Sequence, residues 1–287
     1  MEEVVYFNGK LMPRSQASLS VLDYGFLFGY GLYETIRAYD GKMFRLDSHL
    51  ERLENSAQKI GIQLNIPELR QGVQDTVRAN GFFDTRVRIT VSLGEGSMTP
   101  DIRSCRTPTL LVLAGEYHPY SLEKYESGFK TIVSSIKRNN QSPVTFMKSA
   151  NSMENMLARQ EARETGFDEA LFLNTSGYVT EASGSNVFMV AEGIVKTPEL
   201  KNGILAGVTR SAIFEVAGKQ RIPISEASIR LEELQAADEV FLTNSLIEVV
   251  PVVQVGSKGV SGAAVGPVTR LLREAYRQLV VNELHAQ

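Results

Sequence analysis

Along the first part of the chain the apolar positions change period repeatedly, and each change marks an element. Val4 to Asn8 alternates and runs into Gly9-Lys10, which predicts a first hairpin. The stretch from Asp23 to Arg37 sets Gly25, Gly29 and Gly31 among aromatic residues, which predicts a bend with close backbone approach and then a strand through Tyr39. Asp40-Gly41 is a two-residue hairpin signal with Met43-Phe44 as the return strand. Leu46, Leu50, Leu53, Ala57 and Ile60 then recur at helical spacing, with Ser48 and Glu51 as a capping box at the start. Pro67 to Ala79 predicts a second helix. Arg86 to Ser92 alternates as a strand that places Arg86, Arg88 and Thr90 on one face, and Thr109 to Ala114 is a buried-type strand after the polar loop Gly94 to Pro108.

A polar stretch with Pro119 separates two βα-rich halves and predicts a linker over 119–128. Beyond it come a strand over 129–136 and a helix over 151–164 with Met153, Met156, Leu157 and Ala162 inside. Strands over 169–173, 178–190 and 194–196 follow, joined by turns at Thr175-Ser-Gly177 and Glu192-Gly193. A helix over 208–219, a short helix over 228–236, a strand over 239–243 and a closing helix over 266–280 complete the chain.

Composition narrows the function classes. The 287 residues are 43% hydrophobic and 22% charged, as in globular proteins, and the net charge of −3 gives no reason to expect a nucleic-acid partner. A single cysteine, Cys105, excludes an intrachain disulfide. His49, His118 and His285 are scattered, which argues against a zinc site and leaves no metal expected. The acidic start lacks the features of a signal peptide, and no apolar run is long enough to span a bilayer, so a cytoplasmic protein with no membrane partner is expected.

Candidate chemistry gathers between Ser142 and Asn186. Lys148 lies in a short segment just before a helix, with Val144, Phe146 and Met147 as an expected apolar lining. An amine attacks an aldehyde only when unprotonated, which burial or a cationic neighbour favours. Glu181 follows at the end of a strand rich in small residues, where a carboxylate could keep a pyridine nitrogen protonated. Together they suggest a lysine carrying pyridoxal 5'-phosphate and a glutamate facing its ring. The alternative is a surface lysine in a loop and a turn carboxylate. Arg52 either flanks the core with its stem or aims its planar fork at a phosphate. Gly207 before Val208-Thr209 permits close ligand approach, and the first amides of that helix with the Thr209 hydroxyl make an anion site. Asn244-Ser245-Leu246 offers a further hydroxyl and turn amides. Arg86 and Arg88 are either solvated or, if their face lines a cleft, select a carboxylate.

Several segments in order resemble one family: Tyr33-Glu-Thr-Ile-Arg37, Phe44-Arg-Leu-Asp-Ser-His49-Leu-Glu-Arg52, Lys148, Val179-Thr-Glu181 to Asn186, Gly207-Val-Thr-Arg210 and Thr243-Asn-Ser-Leu-Ile-Glu248. The resemblance is to class IV aminotransferases, the fold-type IV pyridoxal phosphate enzymes. That group includes branched-chain and D-amino acid aminotransferases and 4-amino-4-deoxychorismate lyases. The resemblance implies an α/β (α+β) fold of two α/β domains with the cofactor in the cleft between them, residues 1–118 and 129–287, in a homodimer. It implies Lys148 as the Schiff-base lysine and Glu181 as partner of the ring nitrogen. Cofactor contacts are implied at Arg52, Ser185, Asn186, Leu205, Gly207, Val208, Thr209, Asn244 and Ser245, and substrate contacts at Phe28, Tyr33, Thr35, Arg86, Arg88 and Leu246. The substrates would be an amino acid and a 2-oxo acid.

Departures from the family's subgroups matter for the reaction. Branched-chain enzymes carry Phe-Glu-Gly-Ile-Arg and Tyr-x-Arg-Pro, where this chain has Tyr33-Glu34-Thr35-Ile36-Arg37 and Arg86-Val-Arg88-Ile. A tyrosine after the lysine segment is replaced by Ser152 and Met153. The Arg-x-His of D-amino acid enzymes is absent from Gly94 to Thr99. Threonine at position 35 resembles the lyases. The first expectation is a branched-chain-type aminotransferase, with the lyase, which eliminates pyruvate to give 4-aminobenzoate, as the alternative.

Overall fold

The computed structural model describes residues 2–260, 262 and 264–286. They form two compact units. One takes in the residues up to His118 together with Met147–Asn151; the other takes in Pro119–Phe146 and Ser152–Ala286.

The first unit contains β1 (Val4–Phe7), β2 (Lys10–Pro13), α1 (Tyr24–Phe28), β3 (Gly31–Tyr39), β4 (Lys42–Met43), α2 (Leu46–Lys59), α3 (Ile66–Asn80), β5 (Asp84–Ser92) and β6 (Thr109–Glu116). Its strands form an antiparallel sheet in the order β2-β1-β6-β5-β3-β4. Asp40 (φ 49°) and Gly41 (φ 74°) turn β3 into β4 with two positive φ values, the geometry a twisted hairpin favours. Leu32, Ile36 and Ala38 from β3, with Val87, Ile89 and Val91 from β5, share a core with Leu50 and Leu53 of α2 and Val73 of α3. Tyr33, Thr35 and Arg37 therefore lie on the other face, opposite Thr90, Arg88 and Arg86 in register. Helix α2 begins earlier than a Ser48–Glu51 capping box would require. Arg45, with φ 54°, is its N-cap and makes no side-chain capping bond, so Ser48 and Glu51 lie inside the helix and cannot cap it.

Residues 148–150 belong to this sheet's edge. Tyr33 donates its N–H to the Lys148 carbonyl (2.9 Å), and Ala150 donates to the Gly31 carbonyl (2.8 Å). Since β4 pairs only with Ala38 and Tyr39, the start of β3 is open to this segment. A Cβ at Gly31 would lie 2.6 Å from the Val91 carbonyl oxygen, so only glycine fits there.

The second unit opens with α4 (Leu122–Ser127), so the segment expected as a linker carries a helix capped by Ser121. It continues with β7 (Phe129–Arg138), α5 (Met153–Glu164), β8 (Glu169–Asn174), β9 (Val179–Ala182), β10 (Asn186–Ala191), β11 (Ile194–Pro198), α6 (Val208–Lys219), β12 (Ile224–Ala227), α7 (Leu231–Gln235), β13 (Glu239–Asn244), β14 (Glu248–Val255), β15 (Lys258–Gly259) and α8 (Pro267–His285). The strands run β12-β11-β10-β13-β14-β7-β8-β9, and β9 also pairs with β10. That last pairing, Asn186 opposite Glu181, closes a ring of strands. Alternate residues such as Leu171, Leu173, Val187, Met189, Leu242 and Val250 fill one core, as the two-residue strand period requires. Their neighbours Phe188 and Phe241 stack at 4.9 Å on the opposite face.

Helix α5 corrects a further expectation. Met153, Met156 and Leu157 are exposed (71%, 66% and 51%), and only Ala158 and Ala162 are buried in the helix. Its small residues, not its large ones, face the strands, which lets the helix lie close to them. Among the described residues no helix is long and apolar enough to cross a membrane.

Candidate active site

The candidate residues form one group in each unit. In the first, Lys148 is half-buried and presents its amine to the face of Tyr33, with Nζ 4.5 Å from the ring centroid. The Arg88 guanidinium lies 4.1 Å from the centroid of the same ring. An aromatic face attracts both cations, so Tyr33 gathers the amine and the guanidinium. Burial pulls the Arg88 pKa down, opposed by Tyr33. Thr35 shares this strand face and pairs with Arg88 in register. Arg86 is exposed, which matches the solvated alternative. Phe28, 43% exposed, meets Tyr24 edge-to-face at 4.8 Å. Of the expected apolar lining, Val144 and Phe146 are 40% and 37% exposed and Met147 packs against the first unit's core. Tyr33, supplied by β3, is an apolar surface that Lys148 meets.

Arg52 lies in the same unit and is mostly buried. Its Nε and Nη2 donate to the two carboxylate oxygens of Glu34 at 2.7 and 2.6 Å. His49 Nδ1 lies 2.8 Å from Glu34 Oε2. Burial opposes ionising Glu34, but the Arg52 charge and the bonds from His49 and Arg52 override it and hold the pKa at about 2. Burial pushes His49 down, against the pull of Glu34.

In the second unit Glu181 Oε2 accepts the Leu205 N–H at 2.9 Å, and Asn186 Nδ2 lies 3.4 Å away. Its Oε1 is 3.8 Å from Arg138 Nη2. Arg138 is buried over the Phe172 ring, and its Nε and Nη2 have no hydrogen-bond partner among the described residues. Asn186 Nδ2 also donates to the Leu205 carbonyl at 2.9 Å, so Leu205 is held on both sides. Gly207 caps α6, whose first residues are Val208 and Thr209. The hydroxyls of Ser185, Thr209 and Thr243 are buried and have no hydrogen-bond partner among the described residues. Thr243 is opposite Asn186 in the ladder, and Ser185 immediately precedes Asn186. Three buried hydroxyls with unused bonds beside a helix N-terminus fit a phosphate ester. Asn244 organises a turn. Its Oδ1 accepts from Leu246 and Ile247 N–H at 2.8 and 2.9 Å, and its Nδ2 donates to the Gly184 carbonyl at 2.9 Å. The Leu246 amide is thus spent on this turn, beside Ser245.

A Cβ at Gly207 would lie 2.0 Å from Asn186 Oδ1. Its φ of −70° suits any residue, so space alone selects glycine. Gly207→Ala is expected to displace Asn186 and destabilise the chain by about 2 kcal/mol, measured by urea denaturation.

Glu34, His49 and Arg138 were not singled out as functional from the sequence. Glu34 did carry a signal: an acid in phase with Leu32 and Ile36 occupies a core position and requires partners. Among the described residues no cluster of three or more His, Cys, Asp or Glu could hold a metal.

Comparison with known proteins follows the same lines. The amino-transferase class IV family model matches residues 31–255. The chain is 33% identical over 286 residues to the aminodeoxychorismate lyase of Bacillus subtilis (strain 168), covering 98% of this chain and 96% of that one. It is 34% identical to the crystal structure of a branched-chain aminotransferase from Thermoproteus uzoniensis with norvaline, with a TM-score of 0.91 over 98% of this chain and 96% of that chain. It is 28% identical to the crystal structure of the branched-chain amino acid aminotransferase from Thermobaculum terrenum in its PLP-bound holo form, with a TM-score of 0.86 over 98% and 94% of the two chains. The family model reaches into both units and includes every segment that carries the resemblance: this chain belongs to the class IV aminotransferase family.

Proposed function

We propose that the chain is a pyridoxal-phosphate-dependent aminotransferase that moves an amino group between a branched-chain-type amino acid and a 2-oxo acid. The observation that carries this reading is the Tyr33 ring, with the Lys148 amine at 4.5 Å and the Arg88 guanidinium at 4.1 Å. An amine for the cofactor aldehyde and a cation for a substrate carboxylate share one support. The branched-chain preference rests on the similar solved enzymes.

Bound pyridoxal phosphate supplies the electron sink for the reaction. The side chains do the rest. Lys148 Nζ would hold the cofactor aldehyde, and its free amine would take the α-proton as general base and return it as general acid. Glu181, with the Leu205 N–H and Arg138 beside its carboxylate, would hold the proton on the ring nitrogen. Arg52 would be a phosphate ligand, and the first amides of α6 and the Ser185, Thr209 and Thr243 hydroxyls would donate to phosphate oxygens. Arg88 holds the substrate carboxylate. We further propose a cytoplasmic homodimer, in which a second copy covers the exposed Phe26 and Leu27 of α1 and Met153, Met156 and Leu157 of α5.

One observation favours a second reading. The Thr35 hydroxyl shares a face with Tyr33 and Arg88, as a proton carrier in pyruvate elimination would. Parallel assays separate the two: amino-group exchange from leucine and from D-alanine to a 2-oxo acid, and pyruvate release from aminodeoxychorismate. Exchange with leucine is expected. Pyruvate release without exchange would overturn the aminotransferase reading in favour of the lyase.

A further inference from the structure

Glu34 is a carboxylate on the apolar face of β3, and it is fully buried (0% exposed). A buried charge without donors is strongly unfavourable, so its position demands partners. Helix α2 supplies them three residues apart, on one face: His49 at 2.8 Å and Arg52 at 2.7 and 2.6 Å. Because Glu34 is held anionic and burial keeps His49 neutral, the His49 Nδ1 carries the proton and donates it to Glu34. The acceptor oxygens are satisfied, and Arg52 supplies the positive charge that faces Glu34.

The effect falls on Arg52. A free arginine side chain samples many rotamers, and its affinity for a phosphate is reduced by ordering the fork. Here two of the guanidinium nitrogens are engaged by one carboxylate, which fixes both the rotamer and the plane. We propose that Glu34 is a positioning residue that sets the chain's phosphate affinity by holding the Arg52 fork in one orientation. A carboxylate with no exposed surface thereby controls how well the cofactor's phosphate is held. The inference rests on the reading of Arg52 as a ligand of the cofactor phosphate.

Glu34 has two opposed influences on an anion at Arg52. It orients the guanidinium, and it cancels part of its charge. If cancellation dominated, removing the Glu34 charge would tighten phosphate binding. If orientation dominates, removal weakens it.

The test uses the full-length chain freed of cofactor and titrated separately with pyridoxal phosphate and with pyridoxal, which has the same aldehyde and no phosphate. Glu34→Gln is expected to weaken pyridoxal phosphate binding by about tenfold or more while pyridoxal changes by less than about threefold. Glu34→Asp keeps the charge at a shorter reach and is expected to fall between Glu34→Gln and the unaltered chain. Unchanged or tighter pyridoxal phosphate binding would overturn the proposal, and so would equal weakening of both aldehydes, which marks a general structural role. Should Glu34→Gln not fold, Glu34→Asp carries the test by the same criterion. An unaltered chain that takes up no pyridoxal phosphate would instead defeat the reading of the site itself.

Discussion

Lys148→Ala is expected to lower turnover by about 10⁴-fold, the upper range for loss of a general acid–base group, and to leave the fold intact. The reason lies in how the segment is attached. Its backbone, not its side chain, pairs with β3, through Tyr33 N–H to the Lys148 carbonyl and Ala150 N–H to Gly31. The side chain is half-buried and meets the Tyr33 ring. Truncating it removes the amine without removing a ladder bond, so stability should change by no more than about 0.5 kcal/mol. Steady-state kinetics with leucine and a 2-oxo acid, beside urea denaturation, check both halves. A variant that retains a tenth of the activity would refute the role given to Lys148.

Glu181→Gln has the second-largest expected effect. A glutamine keeps an acceptor for the Leu205 N–H but removes the charge beside Arg138 and, in the proposed function, beside the ring nitrogen. A hydrogen bond to a charged group contributes about 1.5–3 kcal/mol, and each 1.4 kcal/mol is a factor of ten, so turnover should fall by roughly 10- to 100-fold. The covalent link at Lys148 should survive. Glu181→Asp, which keeps the charge, should recover part of the loss. Equal loss in both variants, or none in either, would count against the electrostatic role; kcat at saturating cofactor is the measurement that decides.

Much of this was legible in residue patterns, for identifiable reasons. The Asp40-Gly41 hairpin depends on two adjacent positive φ values, a local demand that names its own residues. The face shared by Arg86, Arg88 and Thr90 follows from the two-residue strand period alone, whereas the pairing that adds Tyr33 and Thr35 to it is set by the β3–β5 register. The start of α2 did not follow, because Arg45 enters it from a left-handed conformation that no side-chain signal marks. The exposed face of α5 was misread because periodicity ranks residues by size and polarity, whereas Ala158 and Ala162 were chosen for close approach. Glu34 sat in plain view beside Tyr33, yet its partners lie 15 and 18 residues further on in a different element. Long-range pairing of that kind is set by tertiary packing. Likewise Asn244 offers the same atoms to a turn or to a ligand, and only the turn geometry shows that the amides of Leu246 and Ile247 claim its Oδ1.

The central claim is that one particular amine carries the cofactor, and its position makes a direct measurement possible. Protein loaded with pyridoxal phosphate, reduced with borohydride and digested with trypsin should yield the phosphopyridoxyl group on a single uncut peptide from Asn139 to Arg159, because a modified Lys148 blocks cleavage after it. The group on any other lysine, or on none, would contradict the account.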